Sequence, residues 1–224
     1  MCTGNNNIKY LPPELAKLEN LVDLNVALNK LSFLPSELAS MMSLTKLIVL
    51  PNPFLPESRG GASRTSETHQ TGSRVPPLTE LALRVLLAPP NFPSEKETLF
   101  EEGYQLPIPT GGPYRPISAP LRNILATCVP GSVAKNDEIM WKEDAQEEGV
   151  TGIGKCPNPL HKGLGSIFVH HVEERFTWVD SVLGIKLGGL APLRWRGCQW
   201  GCLNFLDPIK DQEQVEDGNT YPIY

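Results

Sequence analysis

The chain has 224 residues, among them 22 prolines and 19 glycines, which suits one or two modest domains with part of the chain in loops or disorder. Its formal net charge of −5 argues against broad binding to nucleic acid or anionic membranes, and no apolar run is long enough to span a bilayer. Its five cysteines, an odd number without a dense pairing pattern, favour a reducing compartment, so we expect a cytoplasmic or nuclear protein.

The first predicted element, residues 1–56, repeats with a period of 23 residues. The positions in register are Asn6, Asn29 and Asn52; Ile8, Leu31 and Phe54; Leu11 and Leu34; Pro12 and Pro35; Glu14 and Glu37; Leu15 and Leu38; Leu18 and Met41; and Leu21, Leu24 and Val26 with Leu44, Leu47 and Val49. The pattern LxxLxLxxNxL followed by LPxxL resembles the leucine-rich repeats. That resemblance implies a solenoid of strands and short helix or turn units, with a concave face that binds protein.

Alternation within each predicted strand assigns its residues to two faces. Leu24 and Val26 should point into the core, because alternate residues of a strand share a face. Asn29 should hydrogen-bond backbone groups left unpaired after the strand, and Pro35 should open a short helical or turn segment. The outward positions form the predicted partner-binding surface, which consists of Asp23, Asn25, Ala27, Lys46, Ile48 and Leu50.

The repeat pattern begins inside a predicted strand. Projected backward, it places Met1 at the position of Leu24 and Thr3 at that of Val26. One complete unit and two partial ones are fewer than the roughly three repeats that a solenoid normally needs. We therefore expect either an N-terminal truncation or another subunit that covers the edge at residues 1–7.

A polar linker and a short helix follow the repeats. Residues 57–76 contain almost no apolar side chains and predict a disordered linker. The next segment, PLTELALRVLL, has apolar residues at helical spacing, namely Leu78, Leu81, Ala82, Val85 and Leu86. One interpretation is that this amphipathic helix caps the open end of the solenoid.

The same helix supports a second interpretation. The pattern PLxxxAxxxL of residues 77–86 resembles the elongin-binding helix of cullin-ligase receptors. The LPIP of residues 106–109 resembles the LPxP element that follows this helix in the SOCS-box family. The resemblance implies that Leu78, Ala82 and Leu86 dock in a groove of an elongin adaptor.

The middle of the chain offers less information. Residues 77–127 combine the helix with a segment whose prolines exclude regular structure over much of its length. Residues 128–154 form a predicted acidic linker, since their charges are typical of a solvated surface. Residues 208–224 are predicted to be a tail.

Residues 155–207 contain two close pairs of candidate metal ligands. Cys156 and His161 lie in CPNPLH, and Cys198 and Cys202 lie in CQWGC. Two such pairs separated by a longer insert are typical of a tetrahedral zinc site that joins two turns. The insert is rich in β-branched and aromatic residues, which predicts strands. We predict a small β-rich module with a structural Zn²⁺, the alternatives being two disulfides or an unconnected loop.

Two further histidines are rival ligands for this site. His170 and His171 lie between the two pairs, in a predicted strand. Because neighbouring residues of a strand face opposite ways, at most one of them should reach the metal. Cys2 and Cys128 have no companion ligand close in sequence and are most simply unpaired thiols.

The order of these motifs extends the resemblance over most of the chain. Leucine-rich repeats, a PxLxELA helix, an LP element, CxNPxH, VExxxxWVD and CxxxC occur in the same order in an uncharacterised group of leucine-rich-repeat-containing proteins that this chain resembles. The predicted fold class is α/β: a short leucine-rich-repeat solenoid, then irregular Pro-rich segments and a small β-rich zinc-binding module.

These features predict a non-enzymatic interaction protein. The most concrete version, which the resemblance implies, is a substrate-recognition subunit of a cullin-type ubiquitin ligase. An alternative is a signalling scaffold, because short LPxxL repeats resemble those of Ras-pathway scaffolds. A zinc-dependent enzyme with Glu173, Glu174 or Asp180 as its acid or base is a further alternative, but four protein ligands leave no open position on the metal.

Overall fold

The computed structural model describes residues 4, 6–57, 64–72, 76–87, 99–103, 106–108, 119–129, 131–133, 153–161 and 166–207. The start of the predicted N-terminal edge, most of the acidic linker, Pro109 of the LPIP motif and the tail lie outside the described residues. The described part is a mixed α/β structure with few helices and several strands in sheets. None of its helices is long and apolar enough to cross a membrane.

The elements follow one another in a simple order. The helices are α1 (Leu78–Leu86), α2 (Leu99–Gly103) and α3 (Ala119–Cys128). The strands are β1 (Asp23–Asn25), β2 (Leu34–Pro35), β3 (Lys46–Ile48), β4 (His69–Gln70), β5 (Gly154–Lys155), β6 (Ile167–Phe168), β7 (Glu173–Val182) and β8 (Ile185–Gly197). Short 3-10 helices span Pro13–Lys17, Ser36–Ser40 and Asn204–Leu206.

The repeat region, residues 6–57, reproduces the period of the sequence in its backbone. Strand β1 pairs in parallel with β3, with Asp23 opposite Lys46 and Leu24 opposite Leu47. The first two 3-10 helices also lie one period apart, each preceded by an extended proline. Proline suits this place because its missing N–H is not needed at the start of a helix.

Asparagine side chains link neighbouring units where strand pairing ends. The Asn52 Oδ1 atom accepts hydrogen bonds from the backbone N–H groups of Asn29 and Leu31, both at 3.1 Å. The Asn29 Oδ1 atom accepts from the N–H of Ile8 at 3.1 Å, and its Nδ2 donates to the carbonyl of Val26 at 3.0 Å. The predicted role of Asn29 in satisfying backbone groups is therefore confirmed.

A long antiparallel hairpin, β7–β8, extends the repeat region. Its two-residue turn has positive φ at both Leu183 (52°) and Gly184 (80°), the combination that type I′ hairpin turns need to match strand twist. Strand β8 also pairs in parallel with β2, with Leu193 opposite Leu34. The sheet order is therefore β2-β8-β7-β4.

The hairpin and the repeat region share one hydrophobic core. Its buried members are Leu11, Leu15, Leu24, Val26, Leu31, Leu34, Leu38, Met41, Leu44, Leu47, Val49, Val182, Leu187, Ala191 and Leu193. The indole N–H of Trp178 adds a hydrogen bond to the carbonyl of Leu55 at 3.0 Å. Residues on either side of the predicted linker are thus buried together.

Part of the segment predicted to be a disordered linker lies along this hairpin. Strand β4 pairs with β7, and Thr65 forms a bridge with Thr177. The Ser66 N–H donates to the carbonyl of Phe176 at 2.8 Å, and its hydroxyl accepts from the Phe176 N–H at 2.9 Å. A polar sequence can occupy this place because an edge strand needs backbone partners more than apolar side chains.

The helices form a second core, apart from the repeats. Helix α1 contacts α2 and β6. The buried residues of this core are Leu83, Leu87, Phe100, Ile124, Leu125, Cys128, Val129, Val133 and Val169. The hairpin therefore covers the repeat core, and α1 does not take the capping position that one interpretation of its sequence predicted.

Charged side chains join the hairpin to its surroundings. The Arg194 guanidinium contacts Glu174 at 2.8 Å and lies 4.9 Å from the centre of the Phe33 ring. His171 is buried, with its Nε2 3.4 Å from the same carboxylate. Burial raises the pKa of Glu174, but His171 and Arg194 favour the charged form more strongly and lower that pKa to about 2.

The repeat core predicts a sharp contrast between neighbouring positions. Leu24 is 1% exposed, and Leu24→Ala should lower the free energy of unfolding by roughly 2–5 kcal/mol because it leaves a cavity. Asp23→Lys, at an exposed position next to it, should change stability by less than about 0.5 kcal/mol. Denaturant unfolding measures both, and similar losses would contradict these assignments of the two faces.

The ion pair of Glu174 predicts a loss of stability in acid. Its folded pKa of about 2 lies below the reference value of 4.5, so the unfolded chain binds the proton first as pH falls. The stability it contributes above pH 4.5 should disappear between pH 4.5 and about 2. Urea unfolding across this range should show a flatter pH dependence for Glu174→Gln. The exposed Asp180→Asn change on the same strand should leave the dependence intact.

Candidate metal centre

The first turn of the candidate metal centre follows β5. The N–H of Cys156 donates to the carbonyl of Ser166 at 2.6 Å, which extends the pairing of β5 with β6. The carbonyl of Asn158 then accepts from the His161 N–H at 3.0 Å, and the side-chain Oδ1 of Asn158 accepts from the Leu160 N–H at 2.9 Å. This tight turn brings His161 back toward Cys156.

The second turn follows β8, and a buried carboxylate supports it. Glu173 is fully buried, and its carboxylate oxygens accept from the N–H groups of Gly201 at 2.8 Å and Leu203 at 2.7 Å. At Gly197 a Cβ would lie 2.7 Å from Glu173 Cγ and 2.9 Å from Cys202 Cβ. Only glycine leaves room for this close approach.

The two turns bring all four predicted ligands together. The sulfurs of Cys156, Cys198 and Cys202 and one ring nitrogen of His161 all lie within 4.8 Å of one another. The His161 Nδ1 atom is 3.2 Å from the sulfur of Cys198 and 3.5 Å from that of Cys202, and these two sulfurs are 3.8 Å apart. The arrangement is compatible with a structural metal.

These distances match the size of a tetrahedral site. Metal–sulfur bonds of about 2.3 Å and metal–nitrogen bonds of about 2.0 Å imply sulfur–sulfur edges near 3.8 Å and sulfur–nitrogen edges near 3.5 Å. The observed edges therefore leave space for one ion between the ligands.

The cysteines of the cluster influence one another's ionisation. Hydrogen bonds from the thiols of Cys198 and Cys202 favour the Cys156 thiolate and lower its pKa. Hydrogen bonds with Cys156 and Cys202 raise the pKa of Cys198. The hydrogen bond with Cys156 raises the pKa of Cys202 to about 11. A bound dication would reverse the last two shifts, because metal coordination favours thiolates.

Gln199 lies beside the histidine of the cluster. Its side-chain Nε2 is 3.1 Å from His161 Nε2, the ring nitrogen that points away from the sulfurs. The two ends of an amide are interchangeable by rotation, so Gln199 is able to present its oxygen to a His161 Nε2–H. An acceptor at this place would orient the imidazole with Nδ1 toward the metal.

The rival ligands His170 and His171 have other partners. The His170 Nδ1 atom lies 3.0 Å from the carboxylate of Glu80. His171 Nε2 lies 3.2 Å from Arg194 Nη2. Neither histidine belongs to the cluster, because each is held by charged groups outside it.

A second buried carboxylate, Glu80, joins α1 to this part of the chain. Its oxygens accept from the N–H groups of Val169 at 2.9 Å and His170 at 3.0 Å, and from Arg84 Nε at 3.0 Å. Burial raises the pKa of Glu80, but these bonds and the His170 ring outweigh it and lower the pKa. Arg84 also donates to the carbonyl of Cys198 at 3.0 Å.

Sequence reasoning missed Glu80, Arg84 and the supporting role of Glu173. The amphipathic pattern of α1 suggested that its charged side faced water. In the structure Glu80 is 2% exposed and Arg84 is also buried. The one available signal was their spacing of four residues, which suits an ion pair but does not indicate burial.

The predicted partner-binding residues of α1 therefore differ in exposure. Leu78 is 80% exposed, and Ala82 is also exposed. Leu86 is half-buried and packs on the helical core. An apolar stripe of Leu78, Leu81, Ala82 and Val85 faces outward, opposite the buried charges.

The predicted face of the repeat region is also only partly exposed. Asp23, Lys46 and Ile48 are exposed, and Asn25 is half-buried with its Oδ1 accepting from the Ala27 N–H at 3.1 Å. Ala27 itself is buried. Leu50 is half-buried against β8, where a Cβ on Gly189 would lie 2.9 Å from its Cδ1. The repeat pattern placed Ala27 and Leu50 at the surface, and for Leu50 the reason is its packing on β8, a distant strand that the pattern does not report.

The remaining described cysteine lies apart from the metal centre. Cys128 is a buried free thiol in α3, and burial raises its pKa to about 12. It is not among the clustered ligands.

Comparison of the chain with protein-family models, curated proteins and solved structures finds no match.

Proposed function

We propose that the chain is a non-enzymatic interaction protein that serves as a substrate-recognition subunit of a cullin-type ubiquitin ligase. The observation that carries the proposal is the outward apolar stripe of α1. Large apolar side chains at helical spacing on a surface are typical of a helix that docks in a partner's groove. An elongin adaptor is the partner that the pattern of residues 77–86 favours.

The orientation of α1 supports docking over a structural role. Leu78, Leu81 and Val85 are all exposed, whereas Glu80 and Arg84 on the other side are buried. A helix that serves only the core buries its apolar side, because apolar burial provides the main stabilisation. Helix α1 does bury Leu83, and Leu87 just beyond it, in the helical core, but it leaves a second apolar stripe exposed and available to another protein.

The repeat region is the proposed site for the ligase substrate. We assign it to the leucine-rich-repeat solenoids, and the parallel pairing of β1 with β3 at the repeat period supports this assignment. The outward residues Asp23, Lys46 and Ile48 form the centre of its proposed binding face. Such repeats present rigid surfaces to protein partners.

The metal in the candidate centre is proposed to be Zn²⁺, held by Cys156, His161, Cys198 and Cys202. Three soft sulfurs and an imidazole that lie within 4.8 Å of one another suit zinc, and four protein ligands would complete its coordination as in structural sites. The ion would hold the two turns together. Among the described residues, the apolar cluster around the three cysteines contains one further side chain, Phe168, and so small a cluster needs an additional source of stability.

The zinc proposal predicts metal content and coordination. The purified protein should contain about one zinc per chain, with Zn–S distances near 2.3 Å and Zn–N near 2.0 Å by X-ray absorption. Cys202→Ser should lose the metal because it removes a ligand, whereas Cys128→Ser, at a buried thiol outside the cluster, should retain it. A fully folded, metal-free protein under reducing conditions would refute the proposal.

The adaptor proposal predicts that Leu78 acts in binding and not in stability. Leu78→Ala should reduce co-purification of elongin about tenfold or more, since an anchor residue of this kind commonly contributes over about 1.4 kcal/mol. The thermal transition should stay nearly unchanged because Leu78 is exposed. Met42→Ala, a change at an exposed apolar side chain outside α1 and the metal centre, should leave elongin binding intact.

Two outcomes would reject the ligase role. Normal elongin binding by the Leu78→Ala protein would remove α1 from the interface. Recovery of small GTPases or kinases without elongin or a cullin would favour the signalling-scaffold alternative.

A further inference from the structure

The proposed adaptor helix is anchored on the metal centre itself. The Arg84 Nη2 atom donates to the carbonyl of Cys198, one of the four clustered ligands, in a buried hydrogen bond of 3.0 Å. Arg84 is also bound to Glu80 through Nε. A single guanidinium therefore links the inward side of α1 to a metal-binding turn.

A second anchor of α1, the carboxylate of Glu80, connects the helix to the segment next to the Cys156 turn. Glu80 binds the N–H groups of Val169 and His170, which come directly after β6. Strand β6 ends at Phe168, whose side chain is fully buried and packs with the three cysteines. Strand β6 also pairs with β5, which immediately precedes Cys156.

These contacts provide much of what orients α1. Glu80 is 2% exposed, so its charge is stabilised only while its hydrogen-bond partners stay in place. Two of those partners, the N–H groups of Val169 and His170, follow β6, which pairs with the strand that precedes Cys156. A movement of either turn would leave a buried charge without its partners, so α1 and the turns should move together.

We propose that metal binding by Cys156, His161, Cys198 and Cys202 fixes α1 in place and thereby controls docking of the adaptor on its apolar stripe. The expected effect on adaptor docking rests on the proposed function. The coupling between the metal and α1 is a property of this chain and does not require the adaptor. Loss of Zn²⁺ would release α1 from this position and weaken adaptor docking, while the repeat region stays folded.

Hydrogen exchange on the full chain tests the coupling without the adaptor. Removal of Zn²⁺ by a chelator should speed amide exchange in α1 about tenfold or more, as expected for an ordinary coupling free energy between two sites. Amides of β1 and β3 should exchange at an unchanged rate, and returning Zn²⁺ should restore protection of α1. Unchanged exchange in α1, or equal loss of protection in β1 and β3, would overturn the inference.

Matched variants separate metal loss from general destabilisation. Cys202→Ala should reproduce the effect of the chelator, whereas Cys128→Ala, in the core that α1 shares, should keep α1 responsive to Zn²⁺. Arg84→Met should retain the metal, because Arg84 supplies no ligand, yet show fast exchange in α1 with Zn²⁺ bound. Protection of α1 equal to the unmodified protein in Arg84→Met would contradict the coupling.

Elongin binding with and without the chelator then distinguishes the two proposals. Binding that weakens about tenfold on removal of Zn²⁺ supports both. Elongin binding that is unchanged by the chelator overturns metal control and leaves the adaptor role in place. Metal-dependent exchange in α1 without any elongin binding supports the coupling and rejects the ligase role.

Discussion

The pairing of β8 with two partners is the constraint on which the rest of the structure depends. In its middle, β8 pairs with β2 and places Leu193 in the core of the repeat region. At its end, Gly197 leads directly to Cys198 of the candidate metal centre. Because an extended strand has a nearly fixed length, the packing of Leu193 brings Cys198 to one side of the candidate metal centre. One strand of 13 residues thus connects the two proposed functional regions.

Buried charge organises the region around the metal centre more than apolar area does. The buried carboxylate of Glu80 accepts the N–H groups of Val169 and His170 after β6. The buried carboxylate of Glu173 accepts N–H groups in and just after the turn that carries Cys198 and Cys202. Arg196 adds a pair with Glu37 of the repeat region at 2.9 Å. Buried charges cost free energy unless they are fully paired, so these contacts tolerate few alternative arrangements. The result is a well-defined geometry in a segment with a small apolar core.

Helix α1 divides its two sides between anchoring and proposed binding. Its buried side carries Glu80 and Arg84, which reach segments of the candidate metal centre, together with the core residue Leu83, and its second apolar stripe faces outward. The proposed adaptor role depends on the exposed stripe. The proposed control by Zn²⁺ depends on the buried contacts of Glu80 and Arg84.

Taken by itself, the sequence determined the features that repeat or lie close together along the chain. The period of 23 residues predicted the opposition of Leu24 and Leu47, and ligand spacing predicted which four residues would cluster. Only the tertiary structure decided that β8 covers the repeats, that Ala27 is buried and that Glu80 faces inward. These outcomes depend on contacts between distant segments, such as the hydrogen bond between Arg84 and Cys198, which are separated by 114 positions in the sequence. Local periodicity reports which side of an element is apolar, but it contains no information about which distant segment will pack on either side.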